Sequence, residues 1–165
     1  LADPWMVESS HEWEVPGLSL TLRGKADRID RLSDGSVAIY DYKTGAVPSD
    51  KEARHFNKQL WLEALMAQGG AFAGQTLEVS RLAYVGLGAK PDLRDEDVNP
   101  TILAEIASGL RTVITHYRLI EVGFASRRAP KDTRYDGDYD HLARYGEWDE
   151  TATPTVIPVG GSHDG

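Results

Sequence analysis

The sequence has no cysteine, no long apolar run and no excess of positive charge. The absence of cysteine excludes disulfide bridges, thiolate zinc sites and iron–sulfur clusters. No apolar run approaches the roughly 20 residues that cross a bilayer and no signal peptide opens the chain, so we expect no membrane partner and a cytoplasmic location. The net charge of -8 disfavours a free-standing nucleic-acid binder. It still allows an enzyme whose partner subunit grips the phosphates.

The length and composition are typical of one globular domain. The 165 residues, 41% hydrophobic and 27% charged, are enough to bury a core. We expect residues 1–150 to form this domain and residues 151–165, rich in Thr, Pro and Gly, to be a linker or disordered tail. Because the chain begins at Leu1 rather than at a methionine, we also expect it to be excised from a larger protein.

The most informative stretch is 23–45, where two β-patterned segments flank a turn. The second segment is apolar at first and then ends with Asp41 and Lys43. Because side chains alternate across a strand, these two residues share the face of Ile39, which is expected to be buried. Burying a lone charge is costly. The pattern therefore predicts that the charged pair lines a cleft or a metal site.

The turn at 33–35 decides which carboxylate on the first strand faces Asp41. A two-residue turn would put Asp30 on the Asp41 face, whereas a three-residue loop with Gly35 in the left-handed region would pair Asp27 with Asp41. Both turns are allowed, so the residues leave both alternatives open. Two neighbouring carboxylates repel unless a divalent cation lies between them. Oxygen ligands without clustered His or Cys indicate magnesium or manganese.

The rest of the chain predicts an α/β fold, a mixed sheet of about four or five strands flanked by helices. The expected elements are a loop or helix end at 1–10, one or two strands at 12–22, a helix at 51–67, a strand at 77–86, a charged loop at 89–100 and a helix at 101–122. On the first helix, His55, Gln59 and Glu63 recur at four-residue spacing, so this polar row can face one cleft.

Three motifs follow one another in the order of a known enzyme family. They are Gly24-Lys25-Ala26-Asp27, then Asp41-Tyr42-Lys43, then Gln59 on the predicted helix. Together they resemble the PD-(D/E)xK nuclease superfamily, and more closely its RecB-like branch. The stretches 126–130 and 137–148 are similar to the C-terminal nuclease domain of AddB, from the AddAB helicase–nuclease of double-strand break repair. The resemblance implies a restriction-endonuclease-like core.

The resemblance also implies roles for individual residues. Asp27 and Asp41 would ligate the metal, and the backbone carbonyl of Tyr42 would complete its coordination. Lys43 would assist catalysis, and Gln59 would contact the substrate or the metal's surroundings. Carried onto this sequence, the catalytic group is therefore Asp27, Asp41, Lys43 and Gln59.

The resemblance favours Asp27 over Asp30 as the partner of Asp41. It thereby implies the three-residue loop with a left-handed glycine. Asp30 would then face away from the site and pair with an arginine, such as Arg28 or Arg31.

Two positions depart from the pattern of the relatives. Some relatives take a further metal ligand from an element ahead of the first motif, and here only Glu8, His11 and Glu12 could serve; we select Glu8. Relatives usually carry an aromatic residue four positions after the glutamine, where this chain has Glu63. The resemblance therefore implies no role for Glu63.

The function implied by the resemblance is a magnesium-dependent deoxyribonuclease, with manganese as a possible substitute and exonuclease action expected. The substrate would be DNA, mainly single-stranded, delivered by an AddA-type helicase subunit. Many AddB relatives hold an iron–sulfur cluster through cysteines, and this chain cannot. The alternative is a catalytically silent domain of the same fold that guides or docks DNA.

Overall fold

The structure is a computed structural model that describes residues 3–124, 147, 151–153 and 155. The chain divides into two compact units, Leu1–Arg111 and Thr112–Gly165, and the first contains the entire sheet. The elements are β1 (Asp3–Glu14), β2 (Thr21–Arg31), β3 (Val37–Lys43), α1 (Asp50–His55), α2 (Gln59–Gln68), β4 (Val79–Gly86), β5 (Asp92–Asp97) and α3 (Pro100–Tyr117). Within the described residues, no helix combines the length and apolarity needed to span a membrane.

The five strands form one mixed sheet in the order β1-β2-β3-β4-β5. Only β3 and β4 pair in parallel, and every other neighbouring pair is antiparallel. A parallel pair needs a crossover connection, which α1 and α2 provide. The expected α/β class with a restriction-endonuclease-like core and a mixed sheet of four or five strands is confirmed.

The β2–β3 hairpin has the three-residue loop. Leu32 and Ser36 close it, with the Leu32 N–H donating to the Ser36 carbonyl at 2.9 Å. Gly35 has a φ of 88°, the left-handed conformation that this loop requires. The register pairs Ile29 with Ile39, and its continuation sets position 27 opposite position 41. The turn geometry therefore selects between the two alternatives that the residues left open.

The hydrophobic core lies between α2 and the sheet face that carries Ile29 and Ile39, both fully buried. Helix α2 packs on β2, β3 and β4 and buries seven of its ten residues. Phe72, just after α2, is also fully buried within the same core. This core fixes α2 over the strand that ends in the charged pair.

The prediction of a single helix at 51–67 is wrong, because the structure has two helices there, α1 and α2. Ser49 caps α1 in a capping box with Glu52. At the other end, the N–H groups of Phe56 and Asn57 both donate to the Glu52 carbonyl at 2.8 Å. Asn57 Oδ1 also accepts a hydrogen bond from Tyr84 on β4 at 3.1 Å. This bond to the sheet accompanies a break in the helix that periodicity does not show.

Two further expectations are wrong. Residues 1–10 were expected to be a loop or a helix end, and 89–100 a charged loop, yet they contain most of β1 and all of β5. Each is an edge strand of the described sheet. Hydrogen bonds to the neighbouring strand stabilise it, although its own residues have low β-propensity. The stretches 126–130 and most of 137–148, on which part of the AddB resemblance depends, lie outside the described residues.

Candidate active site

Asp41 and Lys43 lie at the carboxyl end of the central strand β3. Asp41 is only 3% exposed, on the face that also carries the core residue Ile39. Lys43 Nζ lies 2.7 Å from Asp41 Oδ2, but this oxygen accepts no hydrogen bond of good geometry. Lys43 therefore compensates the charge of Asp41 while one carboxylate oxygen keeps an unused lone pair.

Asp27 on β2 reaches the same point of the sheet. Its Oδ2 accepts a hydrogen bond from the backbone N–H of Tyr42 at 2.8 Å, so it touches the residue between Asp41 and Lys43. An anion that accepts an N–H bond is held more firmly than a neutral acceptor. The bond ties the two strands together beside the carbonyl of Tyr42.

Helix α2 contributes two polar side chains, which extend the series of polar contacts that begins at Lys43. Gln59 Oε1 accepts from Lys43 Nζ at 3.4 Å, and Gln59 Nε2 donates to Glu63 Oε1 at 3.1 Å. Glu63 is buried, and its Oε2 has no hydrogen-bond partner. Burial raises the pKa of Glu63 to about 7; the bond from Gln59 opposes this shift, and the nearby charge of Asp41 adds to it.

The glycine of the first motif makes room for this helix. A Cβ at Gly24 would lie 3.0 Å from Sδ of Met66 and 4.0 Å from Cγ of Glu63. A side chain at position 24 would therefore require the end of the Met66 side chain to move by a few tenths of an ångström. The motif needs glycine here for close packing, and not for an unusual backbone conformation.

Tyr84 forms a wall of the site that sequence reasoning missed. It pairs with Asp41 across the parallel strands, and its ring centre lies 5.8 Å from Lys43 Nζ. Burial raises the pKa of Tyr84 to about 12, and the charge of Asp41 adds to the shift. The sequence marks Tyr84 only as an apolar residue of the strand expected at 77–86. Tyr84 could have been found from the topology, because the crossover connection places its strand next to β3.

The structure does not bring the upstream candidates into direct contact with the two aspartates. Glu8 is exposed and forms an ion pair with Lys25, and the charge of Asp27 is also felt at Lys25. The Glu8 backbone has a φ of 54°, a strained conformation for a residue with a side chain. His11 instead contacts Ser9 at 2.5 Å.

Asp30 lies on the opposite face of the sheet, as expected, and is 1% exposed. Arg28 binds it through two hydrogen bonds of 2.6 and 2.7 Å, which is a strong, geometrically specific pairing. His55 is exposed at the end of α1, so the helix break separates it from the polar row of Gln59 and Glu63.

The donor set suits a divalent cation, although no metal-ready cluster is preformed. Within the described part of the chain, no three His, Asp or Glu side chains are grouped as a metal site. However, the buried oxygens without hydrogen-bond partners there are Asp41 Oδ2 and Glu63 Oε2, and the charges of both aspartates are felt at Glu63. Buried carboxylate oxygens without a hydrogen bond are costly, and a hard cation is the ligand that would compensate the one of Asp41.

Comparisons with known proteins agree with this geometry. A family model described as the PD-(D/E)XK nuclease superfamily matches residues 3–137. An uncharacterized protein of Rickettsia typhi is 32% identical over 100 residues, which is 57% of this chain and 12% of that protein. One of Rickettsia felis is 33% identical over 95 residues, 57% of this chain and 10% of that protein. The chain thus spans only a small part of these curated relatives.

Proposed function

Because the chain belongs to the PD-(D/E)XK nuclease superfamily, we propose that it hydrolyses phosphodiester bonds of DNA, mainly single-stranded, with a divalent metal. The observation that carries the proposal is the pairing of buried Asp41 with Lys43 at 2.7 Å, beside an aspartate on the neighbouring strand. A buried carboxylate with a free lone pair next to an ammonium group supplies both a metal ligand and a positive charge. Phosphodiester hydrolysis needs both.

Magnesium is the proposed cofactor, with manganese as a substitute. Asp27, Asp41 and the backbone carbonyl of Tyr42 would hold it, and the unpartnered Oδ2 of Asp41 supports this choice of donors. Glu8 is the proposed additional donor; it would have to leave Lys25. Bound there, the metal supplies Lewis acidity toward the phosphate and lowers the pKa of water.

Lys43 carries the part of the mechanism that belongs to the chain itself. Its ammonium group is held between Asp41 Oδ2 and Gln59 Oε1, at 2.7 and 3.4 Å. From there it donates to a water or to a phosphate oxygen, and it stabilises the negative charge that develops on the phosphate. The ring of Tyr84 also lies near the ammonium group, with its centre 5.8 Å from Lys43 Nζ.

The biological setting belongs to the same proposal. Residues 1–150 would be a RecB-like nuclease domain of the AddB type, with 151–165 as a linker or tail, acting as an exonuclease during double-strand break repair and recombination. An AddA-type helicase subunit would deliver single-stranded DNA in the cytoplasm. The net charge of -8 supports a partner that supplies the grip on the DNA backbone. The small share of each relative covered fits a domain within a larger protein.

The test is cleavage of end-labelled single-stranded DNA with magnesium, with manganese or with EDTA. We expect cleavage only with metal, and a loss of about 100-fold or more in Asp41→Ala and Lys43→Ala. Asp97→Asn is the matched control. Asp97 is exposed and lies opposite Arg81 in the strand register, at the end of β4 that is remote from Tyr84. Wild-type cleavage by Asp41→Ala contradicts the proposal. Metal-independent DNA binding without cleavage indicates the silent guiding domain instead.

A further inference from the structure

Glu63 has no part in the proposed chemistry, yet it ends an unbroken series of polar contacts. Its Oε1 accepts from Gln59 Nε2 at 3.1 Å, Gln59 Oε1 accepts from Lys43 Nζ at 3.4 Å, and Lys43 Nζ lies 2.7 Å from Asp41 Oδ2. The series runs from the buried side of α2 to the end of β3. It connects a residue without an assigned role to the reacting group.

When Glu63 is ionised, the donors and acceptors in this series allow only one orientation of the amide. A carboxylate accepts hydrogen bonds and an ammonium group only donates them. Glu63 therefore draws the NH₂ end of Gln59 to itself and leaves the oxygen end for Lys43. Without Glu63, the amide could turn its NH₂ group toward Lys43, where two donors would repel each other.

The location of Glu63 is energetically unfavourable for any purely structural purpose. It is 4% exposed, among apolar neighbours on α2 that include Leu60, Ala64 and Ala67. One of its oxygens has no hydrogen-bond partner, and a carboxylate in such a place is costly. A leucine would fill the space without that cost. Orientation of Gln59 is the benefit that a leucine cannot provide.

We propose that Glu63 is a positioning residue that fixes the orientation of the Gln59 amide and, through it, the place of the Lys43 ammonium group beside Asp41. The kinetic consequence rests on the proposed nuclease function. The arrangement of the three side chains does not, so the two can fail separately.

The kinetic test removes the carboxylate and then restores the donor–acceptor pattern in reverse. Glu63→Leu is expected to lower kcat for DNA cleavage about tenfold with KM within about twofold, the effect of one lost orienting interaction in the transition state. In the double variant Gln59→Glu/Glu63→Gln, the new residue 63 donates to residue 59, which accepts from Lys43, at unchanged net charge. This swap is expected to restore the acceptor that holds Lys43; because it also replaces Gln59, its readout is the labelling of Lys43 and not kcat.

A chemical test needs no cleavage at all. Acylation of Lys43 by a limiting reagent is followed by mass spectrometry, with exposed Lys51 as the internal reference. Loss of the Gln59 oxygen frees the ammonium group, so Glu63→Leu is expected to raise the relative labelling rate of Lys43 about threefold, and the swap to reverse this. Met66→Ala, a cavity on the same buried face of α2, is the control and is expected to change stability but not labelling.

The outcomes separate the two claims. Wild-type kcat and labelling in Glu63→Leu would overturn the positioning role, as would a swap in which Lys43 is labelled as in Glu63→Leu. Equal effects of Met66→Ala and Glu63→Leu on labelling would reduce Glu63 to a packing residue and also overturn it. If wild type itself does not cut DNA but the labelling pattern holds, the nuclease proposal fails while the positioning of Lys43 stands.

Discussion

The carboxylate of Asp27 accepts the backbone N–H of Tyr42 across 2.8 Å. The bond joins β2 to β3 at the point where the charged pair begins. Asp27 thus holds the strands in place, and its second, proposed task is to offer a carboxylate to a cation. These tasks can be separated by substitution, because asparagine keeps an oxygen acceptor and loses the charge.

We expect Asp27→Asn to retain most of the stability and Asp27→Ala to lose about 2 kcal/mol, because alanine leaves the Tyr42 N–H without its acceptor. Both variants are expected to lose metal-dependent cleavage. Urea unfolding gives the free energy of unfolding, and cleavage of labelled DNA gives the activity. Cleavage by Asp27→Asn at the wild-type rate would show that its charge is not needed.

Asp30 is the matched comparison from the other face of the sheet. Asp30→Ala leaves Arg28 without the carboxylate that it binds twice. We expect a loss of about 2 kcal/mol, below the usual value for a fully buried pair because Arg28 is partly exposed and can be hydrated. Activity per folded molecule is expected to stay near wild type, measured below the unfolding transition. The opposite pattern, with Asp30→Ala inactive and Asp27→Ala active, would show that Asp30 and not Asp27 belongs to the site.

The left-handed glycine in the hairpin loop is expected to be costly to replace. A Cβ at Gly35 meets nothing within 4 Å, so Gly35→Ala has no steric clash and only a backbone cost, about 1 kcal/mol at a φ of 88°. Gly45→Ala is the control, since it also meets nothing within 4 Å and has no positive φ. Thermal unfolding of both variants measures the difference, and equal melting temperatures would contradict the loop geometry.

Glu63 makes stability depend on pH in a predictable direction. Its pKa rises from 4.5 to about 7 on folding, so the folded protein holds the proton more tightly and the free energy of unfolding falls as pH rises from about 4.5 to 7. The full penalty above pH 7 is about 3 kcal/mol. Glu63→Gln, neutral throughout, is expected to gain this much relative to wild type between pH 4 and pH 8, measured by urea unfolding in EDTA. A constant difference across that range would exclude a raised pKa.

Metal binding is expected to be visible as thermal stabilisation without any substrate. A cation that binds only the folded protein adds about 2.7 kcal/mol at 100 times its dissociation constant. Manganese is expected to raise the melting temperature of wild type and of Asp97→Asn, and to have little effect on Asp41→Asn. An equal rise in all three proteins would place the binding elsewhere.

The sequence predicts the hairpin and the charged end of β3 well, because both depend on local rules. The alternation of apolar residues predicts the face of the strand on which Asp41 lies, and the Asp34-Gly35 pair predicts the turn. The same rules allow two registers, however. The choice between Asp27 and Asp30 depends on the backbone conformation of one glycine, which the letters do not contain.

What the sequence does not predict depends on partners distant in the chain. Strand β5 is mostly acidic, with Asp95 and Glu96 at its centre, and it exists because β4 offers a free edge. The break between α1 and α2 accompanies the bond from Tyr84 to Asn57. The burial of Glu63 also depends on residues distant in the chain. Helical periodicity does not predict that the sheet covers this carboxylate.

The interior position of β3 has a consequence for how the protein resists partial unfolding. Among the described strands, its backbone is bonded to β2 on one side and to β4 on the other, whereas β1 and β5 each pair with a single strand. Local opening begins at such edge strands, so we expect amide hydrogens of β1 and β5 to exchange with solvent sooner than those of Asp41 and Lys43. Asp41 and Lys43 are thus expected to lie in the slowest-exchanging part of the sheet, and heat inactivation is expected to coincide with global unfolding rather than precede it.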